Sequence, residues 1–320
     1  MSHLTREQRY TIASMLQNGY NQKEIALVIK KDKSVVSREI RRNADARSGV
    51  YRDDLAHRKY LKRQEYKAKT RTFTPEVEEY VRDRLRLKHS PEQIAGVAKK
   101  NGDKCVSHER IYQFIWQDKR KKGTLYLDLR NRGRRYKKRS VIYDKRGTIP
   151  NRTDISQRPP EVELRERFGD LEIDLIIGKN HKGAILTIND RATGFGKLRK
   201  LDGKDAQQLA TATIDCLMDW KPFLKTITSD NGKEFADHQL IAKQLNIDFF
   251  FAKPYASWQR GSNENYNRLV RQYIPKKVDF DCIPTDYINF VEYQLNNRPR
   301  KRFKYESPMF MFNQKVAFST

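Results

Sequence analysis

Apolar residues recur at helical spacing through the first 120 positions and at alternating spacing after position 170. Ile12, Met15 and Leu16 stand at i, i+3 and i+4, as do Ile25, Val28 and Ile29, with Gly19 between the two stretches. Asn21 and Glu24 have the spacing of a capping box at the start of the second helix. Ser34 is placed to cap a third, over 34–43. At about 100° per residue, Ser34, Ser37, Arg38 and Arg41 share one side of it and Val36 and Ile40 the other. Two helices, a short turn, and a helix with an apolar back and an Arg/Ser front predict a helix-turn-helix that meets phosphates and base edges.

The helical pattern then returns. Val77, Tyr80, Val81 and Leu85 form one stripe. Ser90 and Pro91 open a helix carrying Ile94, Val97 and Ala98, which Asn101-Gly102 ends. Ser107 caps a third segment, 107–116, expected to bury Ile111, Phe114 and Ile115 and to expose Arg110, Tyr112 and Gln113. This is a second candidate helix-turn-helix, with Arg110 and Tyr112 as candidate DNA contacts. Past Pro159-Pro160 the period drops to two. Leu171, Ile173, Leu175 and Ile177 alternate with Asp170, Glu172, Asp174 and Ile176, a strand ending at Gly178. Strand-like runs follow at 184–190, 194–201, 224–230 and 247–252. Helices are expected from about 205 to 220, from about 236 to 245, and from near Glu264. The order β-β-β-α-β-α-β-α is that of a ribonuclease-H-like fold.

Charge sharpens this division. The 320 residues hold 66 Lys+Arg against 40 Asp+Glu, net +26. Residues 1–150 account for +21 of it and residues 151–320 for +5. A surplus of that size calls for a polyanionic partner, nucleic acid first, handled mainly by the first half. Three scattered Cys exclude a disulfide scaffold and a four-cysteine zinc module. No apolar run approaches a membrane span, the first ten residues lack the apolar core of a signal peptide, and no phosphate-binding Gly-x4-Gly-Lys run points to an ATP step. A reduced, cytoplasmic protein without membrane partners is expected, associated with the nucleoid when DNA-bound. The expected organisation is an N-terminal helix-turn-helix DNA-binding domain at 1–46, a basic linker or helix at 47–72 and a second helix-turn-helix domain at 73–118. A basic tether at 119–160 follows, with Tyr126, Tyr136 and Tyr143 among its cations. An α/β ribonuclease-H-like catalytic domain, a mixed sheet flanked by helices and ending in C-terminal helices, occupies 161–320.

In such a fold one central strand, the end of the next and a later helix converge at one sheet edge. Asp174, Asp230 and Glu264 hold those positions. Three converging carboxylates repel unless a cation neutralises them, and hard divalent ions with oxygen ligands do so. Two Mg²⁺ (or Mn²⁺) ions about 3.5–4 Å apart would activate a water or 3′-hydroxyl and stabilise the leaving oxygen.

The runs E-I-D-L-I-I-G-K (172–179), T-I-T-S-D-N-G-K-E-F (226–235), P-Y-A-S-W-Q-R-G-S-N-E-N (254–265), R-Q-Y-I-P-K (271–276) and L-N-N-R-P-R-K (295–301) resemble the DDE transposases of the insertion-sequence-thirty (IS-30) family. The 33 residues between Asp230 and Glu264 match the family's spacing, and 4–10, 90–96 and 106–112 resemble its N-terminal segments. The resemblance implies a transposase. Its helical modules would bind double-stranded DNA at terminal inverted repeats, and its carboxylates would cut a strand and join the freed 3′-OH to target DNA. The working form would be a homodimer or higher oligomer. One departure is Leu171, where the family usually has Trp; altered packing is expected.

Other positions extend the candidate site. Asn231 follows Asp230 and is a candidate for substrate or metal-bound water. Trp258 is a candidate for stacking on an unpaired base. Asn267, Arg268 and Arg271 fall at i+3, i+4 and i+7 from Glu264, a face suited to the scissile phosphate. Glu172 is read as supporting the site, and Asp190 and Glu234 as structural. His181 and His238 lack partners at metal spacing and read as surface residues. Two other readings remain at this point: a non-catalytic DNA-binding regulator, and a related nuclease or retroviral-type integrase.

Overall fold

The computed structural model describes residues 3–66, 73–132, 149–254, 256–276 and 278–317. They fall into two units, Met1–Arg71 and Thr72–Thr320. The first holds α1 (Arg6–Gln17), α2 (Gln22–Val28), α3 (Lys33–Asn43) and α4 (Asp53–Tyr66). Thr5 and Asn21 cap α1 and α2 through complete capping boxes. Asp32, not Ser34, caps α3: its carboxylate accepts from Ser34 N at 2.8 Å. A carboxylate one turn-position earlier is the stronger acceptor for those first amides. Ile12, Ile25 and Val36 are fully buried at the centre, each contributing about 1.5–3 kcal/mol. Val28 is exposed, because α2 ends there and the helical period does not carry past it. Buried Arg9 ties α1 to α3 by an ion pair with Glu39 at 2.7 Å. Residues 53–66, expected as basic linker or helix, are a fourth helix: Tyr51 and Ala56 join the same core. Ser34, Arg38 and Arg41 stay exposed and Ser37 half-buried on the front of α3.

The second unit begins with α5 (Pro75–Arg86), α6 (Pro91–Asn101) and α7 (His108–Arg120). Ser90 caps α6 in a capping box with Gln93, Gly102 closes it in the left-handed conformation, and Ser107 caps α7. Val81, Leu85, Ile94, Ile111 and Ile115 are fully buried between them. Of residues 119–160, expected as a basic tether, 133–148 lie outside the described residues. Leu125 and Leu129 fold back onto this three-helix core, and β1 (Thr153–Asp154) joins the sheet beyond. Tyr136 and Tyr143 lie outside the described residues.

The sheet is built from β1 with β2 (Asp170–Ile177), β3 (Ala184–Asp190), β4 (Gly196–Leu201), β5 (Thr226–Ser229) and β6 (Asp248–Phe251), in the order β1-β6-β5-β2-β3-β4. β2, β3 and β4 run antiparallel; β5, β6 and β1 are parallel to β2. An antiparallel meander continued by parallel strands is the ribonuclease-H-like arrangement. α8 (Glu161–Leu164) is a single turn, and α9 (Ala206–Leu217) and α10 (His238–Leu245) follow β4 and β5. Beyond β6 come α11 (Gly261–Tyr273), α12 (Thr285–Asn297) and α13 (Pro308–Ala317).

Period two in β2 sorts its side chains between two cores. Leu171, Ile173 and Leu175 pack with Leu209, Leu217, Ile241 and Leu245 from α9 and α10. Ile176 packs with Leu269, Val270, Val291 and Leu295 from α11 and α12. Glu172 and Asp174 share the face of Ile176, so they meet α11. Leu171 is fully buried in the first core. No helix among the described residues is long and apolar enough to cross a membrane.

Candidate active site

Strand register sets the first two carboxylates level. Glu172 is paired with Thr228 across the parallel β2–β5 ladder. Asp174 is two residues past Glu172 and Asp230 two past Thr228, at the edge where β5 has just ended. Arg260, on the turn leading into α11, spans both: Nη1 lies 3.5 Å from Asp174 Oδ2 and Nη2 3.4 Å from Asp230 Oδ2. Its Nη1 also donates to the Ile173 carbonyl at 3.1 Å, fixing the guanidinium against β2. Asp174 accepts in addition from Leu175 N at 2.8 Å and from Asn267 Nδ2 at 2.9 Å. Asp230 accepts from Gly232 N at 3.0 Å. Burial pushes the Asp174 carboxyl up to about 6; Arg260 opposes the rise, and the Asp230 and Glu234 carboxylates add to it.

Glu264 stands on α11 one turn after Arg260 and three residues before Asn267, so both of its helical neighbours touch Asp174. Its own carboxylate is half exposed and paired with Arg268. Among the described residues no three His, Cys, Asp or Glu side chains lie close enough together to hold a metal ion. Asp174 and Asp230 are thus brought to one cation, and Glu264 to the same helix face but to a different one.

The helix starts three residues earlier than its polar sequence suggested. No side chain caps it; instead Glu172, fully buried, accepts from Asn263 N at 2.8 Å. Glu172 is itself paired with buried Arg191 at 3.3 Å, which reaches Glu163 at 2.9 Å. Burial raises the Glu172 carboxyl, and Arg191 and the Asn263 amide oppose it. Asp190 is wholly buried and accepts from Gly169 N, Thr193 N and the Thr193 hydroxyl within 3.0 Å, closing the β3–β4 turn.

The remaining candidates scatter. Asn231 accepts from Arg152 and donates to the Ala252 carbonyl at 2.5 Å, tying the ends of β5 and β6 together. Trp258 is 74% exposed beside the site. Arg271 donates to the Ile177 and Pro275 carbonyls at 3.0 and 3.4 Å, so its guanidinium braces the end of β2. Arg110 stacks on Phe73, 5.0 Å from the ring centre, with Tyr112 exposed next to it. His238 is not a surface residue: it is buried edge-on against Phe251 at 4.9 Å, filling space beneath β6. The side chain of His181 lies outside the described residues. The residue that the sequence did not single out is Arg260. Its one available signal was its place four residues before Glu264, on the same helical face.

Residues 1–43 match the helix-turn-helix domain family. The transposase for insertion sequence element IS4351 of Bacteroides fragilis is 53% identical over 99% of this chain and 99% of its own. The transposase for insertion sequence element IS1086 of Cupriavidus metallidurans is 32% identical over 98% of this chain and 95% of its own. Transposase InsI for insertion sequence element IS30C of Escherichia coli (strain K12) is 30% identical over 100% of this chain and 85% of its own. Among solved structures, the catalytic core domain of BIV integrase superposes with a TM-score of 0.39 at 18% identity, over 47% of this chain and 97% of that one. Near-complete coverage at these identities leaves one assignment: the chain belongs to the IS-30 family of insertion-sequence transposases.

Proposed function

We propose that the chain binds the terminal inverted repeats of its element through the two helical modules. In this reading it cuts and joins DNA strands at Asp174, Asp230 and Glu264 with Mg²⁺ or Mn²⁺. The observation that carries the reading is the shared guanidinium: Asp174 within β2 and Asp230 just past the end of the adjacent β5, held level, are bridged by a single cationic side chain. The donor set fits a divalent ion, since both groups are hard oxygen ligands and Asp174 is raised by burial and by the carboxylates of Asp230 and Glu234 beside it. Asp174 and Asp230 would hold the ions, two per site, and Glu264 would join them on leaving Arg268. Bound there, such ions supply Lewis acidity and a low-pKa attacking oxygen.

The chain's own residues do the rest. Asn267 and the Leu175 amide aim the two oxygens of Asp174. Glu172 anchors the first turn of α11 and so sets where Glu264 stands. Arg260 and Arg268, released from their carboxylates, would pair with the scissile phosphate. Water oxygen attacks phosphorus and a 3′-OH leaves. That 3′ oxygen then attacks a second phosphodiester, forming one P–O bond as another breaks. Joining two ends requires at least a dimer on DNA.

The test is Asp230→Asn on a paired-end substrate with Mg²⁺. Strand cleavage is expected to fall by about 10³-fold while binding persists. Surviving cleavage would place the chemistry elsewhere. A wild-type chain that binds the ends and never cuts them would instead be a regulator.

A further inference from the structure

The L-N-N-R-P-R-K run has no part in the chemistry above, yet it lines a strongly basic cleft of the second unit. The cleft has a volume of about 480 Å³ and opens between α6, α11 and residues 298–302. Arg130, Arg165, Arg298, Arg300, Lys301 and Arg302 surround it. Glu92, the single carboxylate lining it, is taken by Lys301 at 2.5 Å. Three of the cations are committed to protein. Arg298 donates to Gln93 Oε1 and Gln272 Oε1 at 3.1 and 2.8 Å. Arg300 donates to the Leu295 carbonyl at 2.9 Å, and Arg130 to Asn265 Oδ1 at 2.8 Å. Arg165 and Arg302, both exposed, make no hydrogen bond or ion pair among the described residues.

The floor holds an unpartnered group. It is the first turn of α11, where Arg260 makes no capping bond and Glu172 takes the Asn263 amide from the β2 side. Ser262 there is buried, and its hydroxyl has no hydrogen-bond partner. A helix N-terminus beside an unpartnered buried hydroxyl, ringed by guanidinium groups, is a place for a negatively charged oxygen. Burial, reinforced by the neighbouring arginines, holds Arg300 down to about 9. An anion in the cleft would relieve that strain.

We propose that this cleft binds a backbone phosphate of DNA, with Arg165 and Arg302 as its two direct ligands. This rests on the DNA-processing reading above. α11 then works on two faces. Ser262 and Asn265 line the cleft, whereas Asn267, on another face of the helix, reaches Asp174 on β2. A duplex gripped by α5–α7 and pinned in this cleft would be held by the helix that carries Glu264.

The test compares the Arg165→Gln/Arg302→Gln double variant with a charge-matched control, Lys221→Gln/Lys225→Gln, two exposed lysines on another face. Binding of a 30-base-pair duplex by the full chain is measured against salt. The cleft variant is expected to lower the slope of log K on log salt by about 0.9, the loss for one phosphate contact, and the control by less than half of that. Equal losses in both variants, or none in either, overturn the proposal. A second arm follows thermal stability with inorganic phosphate at constant ionic strength. If phosphate stabilises the wild type alone while the salt slopes match, the ligand is a free anion and the DNA assignment is overturned. The readout is binding, so Asp230→Asn failing to stop cleavage would sink the catalytic reading and leave this result standing.

Discussion

Arg260→Met tests the demand for positive charge at Asp174 and Asp230. The guanidinium stands 3.4–3.5 Å from a carboxylate oxygen on each side. At an effective dielectric of about 20, each contact is worth roughly 5 kcal/mol of gross attraction. Desolvation of the three groups offsets most of it. About a quarter of each carboxylate also remains in solvent, which discounts the sum further. A net loss of about 2–4 kcal/mol is expected, including the cost of two carboxylates left facing each other. For a unit of this size that is a fall in Tm of about 5–10 °C. Mg²⁺ should then separate the two proteins. In the wild type the ion must displace the guanidinium, whereas in the variant the charge deficit is open. At 10 mM Mg²⁺ the variant should therefore regain more stability than the wild type, about 1–2 kcal/mol for a millimolar site. Calorimetry with and without Mg²⁺ reads this directly. An unchanged Tm in Arg260→Met, or identical Mg²⁺ shifts in both proteins, would refute the reasoning.

Two further outcomes are expected. A Cβ at Gly96 would stand 2.0 Å from the Tyr305 ring, so Gly96→Ala should destabilise the second unit by about 1–2 kcal/mol although Ala favours a helix by about 1. In the Tyr305→Ala background the same change should stabilise it; a loss in both backgrounds counts against ring contact as the cause. His89 is held down to about 3, first by burial and then by Arg298, Arg84 and Arg300. Below pH 6.5 the unfolded chain takes up a proton that the folded one refuses, so its contribution is full above 6.5 and lost as pH falls toward 3. His89→Gln should flatten the stability profile between pH 6.5 and 4, by up to about 1.4 kcal/mol per pH unit less what the exposed ring edge screens; parallel denaturation midpoints for the two proteins would contradict this.

Local signals were legible where one residue type has one use. Asn21 with Glu24, Ser90 before Pro91, Gly102 and Ser107 end or start helices where their chemistry demands. Strict alternation in 170–177 foretold both the strand and the face shared by Glu172 and Asp174. What failed to show was decided at a distance. The fourth helix reads as a charged linker because its burial is concentrated in Ala56 next to Tyr51, supplied by α1. Arg260 sits in a polar run whose helical character depends on the Glu172 carboxylate, 91 residues away, receiving Asn263 N. The packing of α6 beside residues 298–305 joins segments about 200 residues apart, through Gln93, Glu92 and Gly96. No local pattern announces such a contact.

The acids of a strongly basic chain sort by how they are neutralised. Asp170 is held by Arg167 at 2.7 Å, Glu172 by Arg191 at 3.3 Å, and Glu163 by Arg158 and Arg191. Asp190 is held by amides and a hydroxyl. Each of these carboxylates is neutralised within the sheet and its flanks. Asp174 and Asp230 differ in sharing one guanidinium at an edge that solvent reaches. A protein that gains from a phosphate nearby gives up affinity for every carboxylate it keeps there. Retaining two in register, with a single shared guanidinium between them, favours a site where another cation arrives together with the polyanion. The same logic separates two sides of α11: Asp174 and Asp230 lie by Asn267 and Arg260, where metal would sit, and arginines surround Ser262, where phosphate would.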